Sequence, residues 1–227
     1  MKPNQITILL AEDHTIVREG FRKMLELETD FTVVGEAQDG RMAVALAVKL
    51  RPKVVLMDIA MPRLNGLEAT RQLLKAAPAT KVIILSAHSD DAYVNKAIES
   101  GAGGFLLKQT SAQDVCRAIR EVHKGKTFFS AAISRRRERL RPQSLGTASG
   151  TSRKAVELTS REMEVLQLVA EGKANKETAA ELGIGTKTVE KHREHLMGKL
   201  DIHDTAGLTR YAISAGIIES SVQVTIV

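Results

Sequence analysis

Val54-Val55-Leu56-Met57-Asp58-Ile59-Ala60-Met61-Pro62 is the stretch whose reading decides the fold. A short apolar run ends on an aspartate, as a buried strand does when it hands a polar group to a sheet edge. Working outward, the pattern recurs. Ile6 to Leu10 leads to Glu12-Asp13, Val82 to Leu85 leads to Ser86, and Phe105 to Leu107 leads to Lys108. In an open parallel sheet the carboxyl ends of the strands line one crevice, which is where such sheets bind ligands. The four runs therefore place Glu12, Asp13, Asp58, Ser86 and Lys108 around one site.

The rest of the first half supports that sheet. Apolar strands at 6–12, 31–36, 53–58, 81–86 and 103–107 alternate with helical patterns at 14–28, 39–50, 64–76, 90–100 and 111–124. In the first helix Val17, Phe21, Met24 and Leu25 recur at helical spacing and face the sheet. Five βα units predict an α/β fold with a doubly wound, five-stranded parallel sheet of flavodoxin type. The three carboxylates repel one another unless a cation compensates, and Mg2+ prefers oxygen ligands. A carboxylate beside Mg2+ is a nucleophile toward a phosphoryl group, because the metal offsets charge on the transferring oxygens. Ser86 can donate a hydrogen bond to a phosphoryl oxygen, and Lys108 can supply a point charge.

The chain has 227 residues, 43% of them hydrophobic, enough for two small domains. Its net charge of +6 is concentrated in residues 130–157, while residues 158–227 are slightly acidic. DNA binding by the second half must therefore be argued from geometry and not from bulk basicity. The single cysteine, Cys116, sits among Val115, Ile119 and Val122 and reads as a packed hydrophobe, with no disulfide framework. The first apolar run is broken at once by Glu12 and Asp13, unlike a signal peptide, and no apolar stretch approaches a membrane span. A soluble cytoplasmic protein with no membrane partner is expected.

Residues 130–140 read as a short basic helix, and Pro142 to Ser152 as a flexible Gly/Ser/Thr linker. Beyond it the periodicity is purely helical. Thr159 and Glu162 form a capping box ahead of Met163, Leu166, Val169 and Ala170. A second helix from Asn175 to Leu182 ends at Gly183, and a third runs from Gly185 or Thr186 to Leu200. Two short helices joined by a glycine-containing turn describe a helix-turn-helix. At about 100° per residue, Val189, Leu196 and Leu200 share the inner side of the third helix, with Lys187 and Lys191 opposite. The outward face, with Glu194 and His195, suits base edges: Lys contacts guanine O6 and N7, and Glu accepts from cytosine N4. Thr188, His192 and Arg193 are candidates for phosphate contacts. The expected organisation is 1–129, 130–157 as connector and linker, 158–218, and a tail of 219–227.

With these residues in place, the first half resembles the receiver domain of two-component response regulators. The resemblance rests on the acidic pair, on Met57 to Pro62, and on Ser86 and Lys108, with a departure at Gln109, where many receivers carry proline. It implies that Asp58 is phosphorylated by a sensor histidine kinase. It also implies Mg2+ bound by Asp13, Asp58 and the Ala60 carbonyl, with Glu12 reaching it through water. Ser86 and Phe105 would be the switch pair, Phe105 turning inward on phosphorylation and altering the surface near the fourth helix and fifth strand. Leu158 to Glu162, Gly172, Asn175 to Glu177, and Thr188 to His192 resemble the LuxR-type helix-turn-helix of the NarL/FixJ group. That resemblance implies promoter DNA with paired half-sites, RNA polymerase as a further partner, and a phosphorylation-dependent homodimer. Lys187, Glu190, Lys191 and Glu194 would meet the major groove, and Asp204 to Ala215 would dimerise.

Competing readings are weaker. Gly125-Lys126-Thr127 lacks the first glycine of a P-loop, since Arg120 stands there, and His192-Arg193-Glu194-His195 is not a zinc-protease motif. A phosphohydrolase of haloacid dehalogenase type would carry a second aspartate where Ala60 stands, so an enzyme is not expected. A DNA-binding protein with a lost acceptor pocket is disfavoured because the acidic set is complete.

Overall fold

The computed structural model describes residues 5–87, 91–129 and 158–218. The proposed basic helix at 130–140, the linker and the tail at 219–227 lie outside the described residues.

In the first half, β1 (Ile6–Ala11), β2 (Phe31–Ala37), β3 (Val54–Asp58), β4 (Lys81–Ser86), β5 (Gly104–Leu107) and β6 (Phe128–Phe129) form one parallel sheet. Its strand order is β2-β1-β3-β4-β5-β6. Five of these strands follow the apolar runs; the sixth was not expected. Phe128 and Phe129 pair with Gly104 and Phe105 at the sheet edge, and a two-residue strand leaves no alternation to read.

Helices α1 (Thr15–Glu26), α2 (Gly40–Leu50), α3 (Gly66–Ala76), α4 (Asp91–Glu99) and α5 (Ala112–His123) connect the strands. Strand side chains alternate between two cores. Ile8, Leu10, Leu56, Ile83 and Leu85 pack toward α1 and α5, whereas Leu9, Val55, Met57, Ile84 and Phe105 pack toward α2, α3 and α4. Cys116 is buried in the first of these layers.

The second half is all helical: α6 (Ser160–Ala170), α7 (Asn175–Leu182), α8 (Thr186–Leu200) and α9 (Thr205–Ser214). The capping box forms as read. Glu162 N donates to Thr159 Oγ1 at 3.3 Å, and Thr159 N donates to Glu162 Oε2 at 2.8 Å. Gly183 adopts a left-handed φ of 62° and ends α7. Val165, Leu166, Val169, Val189, Leu196, Leu208 and Ala212 make a third core separate from the sheet. Burying such residues contributes about 1.5 to 3 kcal/mol each, which lets four short helices hold together.

Candidate functional site

The sheet register brings the strand ends level. Asp58 pairs with Leu85 and Ser86 with Leu107, and Lys108 N donates to Ser86 O at 2.8 Å. Glu12 and Asp13 follow directly on β1, beside β3. Glu12, Asp58 and Ser86 are buried, while Asp13 is half-buried. Local packing fixes Asp58 further. A Cβ on Gly66 would overlap the Asp58 carbonyl oxygen, so only glycine lets the start of α3 lie against the end of β3.

Lys108 Nζ sits between the acids, 2.9 Å from Glu12 Oε2 and 3.0 Å from Asp58 Oδ2. Burial pulls its pKa down, but the neighbouring Asp58 and Glu12 outweigh that and leave it raised. Burial and the negative charge of Glu12 push Asp58 up to about 6, against the opposing pull of Lys108. One ammonium therefore does not balance three clustered carboxyls.

Two supporting residues carried no sequence motif. His14 Nδ1 lies 3.0 Å from Glu12 Oε1 and 2.9 Å from Asp13 Oδ1. Asp13 first, then Glu12, raises its pKa. Arg18 is buried behind the acidic turn, where its guanidinium donates to Glu12 O at 2.8 Å and to Glu36 Oε2 at 3.0 Å. A lone arginine early in an amphipathic helix gives no signal by itself; only the fold aims it at the turn.

The site suits a divalent cation. Ligating atoms of Glu12, Asp13, His14 and Asp58 all lie within 4.8 Å of one another. Glu12 Oε2, Asp13 Oδ1 and Asp58 Oδ2 are buried without an aligned hydrogen bond, ion pairs to Lys108 and His14 apart. Hard oxygen atoms in that state are what such a cation binds. Ala60 is half-buried in the turn after Asp58 and borders the small cavity beside it. Phe105 stands apart from this cluster, fully buried in the core with Val94 and Ala97 of α4. Its ring lies inside in this structure.

On α8 the expected inner positions Val189 and Leu196 are buried, with Leu200 half-buried. Lys187, Thr188, Glu190, Lys191, Glu194 and His195 are exposed, and His192 is half-buried. Arg193 is tied down within the helical half: it donates to Asn175 Oδ1 at 3.2 Å and to Thr205 Oγ1 at 2.6 Å.

The two halves touch through the turn that follows Asp58. Gln167 of α6 is fully buried; its Oε1 accepts from Asn65 N at 2.7 Å and its Nε2 donates to Met61 O at 2.9 Å. Arg63 N donates to Glu171 Oε1 at 3.0 Å. Glu164 accepts from Arg41 at 2.9 Å and from Gln72 at 2.7 Å. Burial pushes the Glu164 pKa up, but these donors together with Arg161 outweigh it and hold the carboxyl below its ordinary range. Glu164, Gln167 and Glu171 recur at i, i+3 and i+7, a polar stripe that the search for an apolar face passed over. At the far end, Lys96 Nζ of α4 donates to Ala215 O.

Comparison with known proteins agrees with both halves. The family described as "Response regulator receiver domain" matches residues 8–120, and "Bacterial regulatory proteins, luxR family" matches residues 156–212. The chain is similar to the transcriptional regulatory protein LiaR of Bacillus subtilis strain 168, at 40% identity over 91% of this chain and 96% of LiaR. It is similar to the transcriptional regulatory protein DegU of Brevibacillus brevis, at 35% identity over 95% of this chain and 96% of DegU. Among solved structures, the RcsB response regulator of Salmonella typhimurium, described in terms of its DNA interaction, is similar at 28% identity and a TM-score of 0.55, over 93% of this chain and 99% of that one. Among the described residues no helix is long and apolar enough to cross a membrane. With a receiver fold whose strand ends gather an acidic pocket and a LuxR-type helix-turn-helix behind it, this chain belongs to the LuxR/NarL family of response regulators, which are DNA-binding transcriptional regulators and not enzymes.

Proposed function

We propose that Asp58 accepts the phosphoryl group through which a sensor histidine kinase controls promoter binding by this regulator. The observation that carries this reading is the buried set of Asp58, Glu12 and Lys108 at the carboxyl edge of the sheet. An Asp58 carboxylate oxygen forms the new bond to phosphorus as the donor's bond to phosphorus breaks. Lys108, 3.0 Å from Asp58 Oδ2, is within reach of the incoming oxygens, and Ser86 lies at the same strand-end level. Glu12, Asp13, Asp58 and the Ala60 carbonyl would hold Mg2+, with His14 at the rim. Bound there, the cation offsets charge on the transferring oxygens. The domain limits of 1–129 and 158–218 belong to the same reading.

Lys187, Glu190, Lys191 and Glu194 then read base edges in the major groove, with Thr188 and His192 at the backbone. Arg193, with two of its five N–H donors engaged by Asn175 and Thr205, keeps the others for a phosphate. Pairing of phosphorylated chains joins two half-site contacts, which bind more tightly through effective concentration. Cytoplasmic action on double-stranded promoter DNA, with RNA polymerase as a further partner, completes the reading.

The decisive experiment is incubation with labelled acetyl phosphate and Mg2+. Wild type takes up label and Asp58→Asn takes up none while keeping its circular dichroism spectrum; label on the variant would move the acceptor elsewhere.

A further inference from the structure

His14 stands where a helix cap is expected and does not cap. It precedes α1 with an extended backbone, at φ −76° and ψ 111°, yet its side chain makes no cap hydrogen bond. Ser, Thr, Asp or Asn is usual at such a position, because a short side chain accepts from the free N–H groups of the first turn. The ring turns to the acidic pair instead, with Nδ1 3.0 Å from Glu12 Oε1 and 2.9 Å from Asp13 Oδ1. Its side chain is 60% exposed, so it stands at the mouth of the pocket, whereas Glu12 and Asp58 are buried.

A single proton serves this arrangement poorly. Nδ1 carries at most one hydrogen and faces two carboxylate oxygens, of which Asp13 Oδ1 is left buried without an aligned hydrogen bond. Glu12 Oε2 and Asp58 Oδ2, on side chains only 2% exposed, are in the same state apart from their ion pairs to Lys108. A cation in place of the proton would touch the nitrogen and the oxygens together. Neighbouring ligands of an octahedral ion with bonds of about 2.1 Å stand about 3.0 Å apart. Nδ1 already has that spacing to both carboxylates. An imidazole nitrogen also changes which ion fits. Carboxylate, carbonyl and water suit Mg2+, whereas the affinity of first-row transition cations for nitrogen and oxygen ligands rises from Mn2+ through Co2+ to Ni2+.

We infer that His14 Nδ1 is a ligand of the cation held at the acceptor pocket, which makes it a mixed nitrogen and oxygen site that takes a first-row transition cation such as Mn2+ or Co2+ ahead of Mg2+. The inference rests on Glu12, Asp13 and Asp58 forming the cation site of the proposed function, and adds to it a further side chain and a choice of ion. Mg2+ keeps several of its waters, so His14 replaces a water only on an ion that accepts nitrogen. Phosphoryl acceptance by Asp58 then depends on the supply of such a cation and not on Mg2+ alone.

The test loads the full chain with Co2+, Mn2+ or Mg2+ alone, without a phosphoryl donor. In calorimetric titrations His14→Ala should lose Co2+ affinity by on the order of tenfold or more, since removing even a supporting partner of a metal ligand brings such a loss, while Mg2+ affinity stays unchanged. Pulsed electron paramagnetic resonance of the Mn2+-loaded chain should show a directly bound nitrogen in wild type and none in the variant. His14→Gln, a polar side chain that offers no imidazole, takes its place should the alanine variant fail to fold. An equal change for Co2+ and Mg2+, no nitrogen coupling in wild type, or a coupling that survives in the variant would overturn the role of His14 and leave the acidic set as a cation site. Asp13→Asn binding both cations as tightly as wild type would overturn the cation site itself, and the inference with it.

Discussion

The ionised carboxylate of Asp58 is held at a cost in the folded chain, buried and beside Glu12, which a bound cation would relieve. Its carboxyl, ordinarily near 3.8, is raised to about 6 by burial and by Glu12. The unfolded chain gives up this proton near the lower value and the folded chain keeps it to the higher one. Between the two, the folded form binds more protons, so stability falls as pH rises and the whole cost is present above pH 6. Asp58→Asn removes that cost. Without metal it should gain on the order of 2 to 3 kcal/mol at pH 7.5, at about 1.4 kcal/mol per pH unit, and the gain should vanish toward pH 4. Urea titrations of both chains in EDTA check this; a gain independent of pH would assign it to something other than the charge. On α8, Lys191 is exposed on the outward face. Lys191→Ala should weaken binding to a selected operator by about 1 kcal/mol or more and relax the preference for one base pair. Anisotropy titrations giving an unchanged preference would remove it from the reading face. The strand-end residues were legible because each follows an apolar run that must enter a sheet. His14, Arg18 and Gln167 were not, because what each does depends on a backbone brought to it by the fold.

At the scale of elements, periodicity sufficed wherever an element was long enough to show it. The five helices of the first half lie where the helical pattern put them, with ends displaced by one or two residues; in the second half the helices ending at Leu182 and Leu200 lie where caps and glycines put them, and the last, Thr205–Ser214, lies where the family resemblance put it. β6 was missed because two phenylalanines carry no period, and α6 was read only in part. Its apolar side was visible, whereas Glu164, Gln167 and Glu171, which carry no apolar signal, went unread and are turned toward the receiver. The start of α6 makes a quantitative case. Thr159 caps the helix and Glu162 also takes Lys199 Nζ at 2.7 Å, so this end is held to the base of α8. Thr159→Ala should cost about 1 kcal/mol, seen as earlier denaturant unfolding of the helical half and faster amide exchange over the first turn of α6. Exchange unchanged there would mean that Glu162 and Lys199 hold the turn without the threonine.

For the whole molecule, the sequence announced two folded units and a connector but gave no sign of how the units meet. The meeting surface is polar, made of a buried glutamine, a carboxylate shared by Arg41, Arg161 and Gln72, and a lysine on a helix-end carbonyl. Such a surface has no compositional signature, since each residue alone resembles a solvated one. Gln167→Ala should loosen it, because Asn65 N and Met61 O lose their partner in a buried place, a cost of about 1 to 3 kcal/mol for each stranded group. Small-angle scattering should then show a larger radius of gyration without phosphorylation, close to that of wild type with beryllium fluoride and Mg2+. A radius equal to that of the resting wild type would place the holding force elsewhere.

The burial of Gln167 also bears on how the molecule handles a graded input. Its bonds to Asn65 and Met61 are made inside the contact, so a partial separation breaks them before water can replace them. Intermediate openings would then be the least populated, and on the proposed function a weak stimulus would open few molecules completely instead of opening all of them slightly. The strength of the signal would reach the promoter as a number of open molecules.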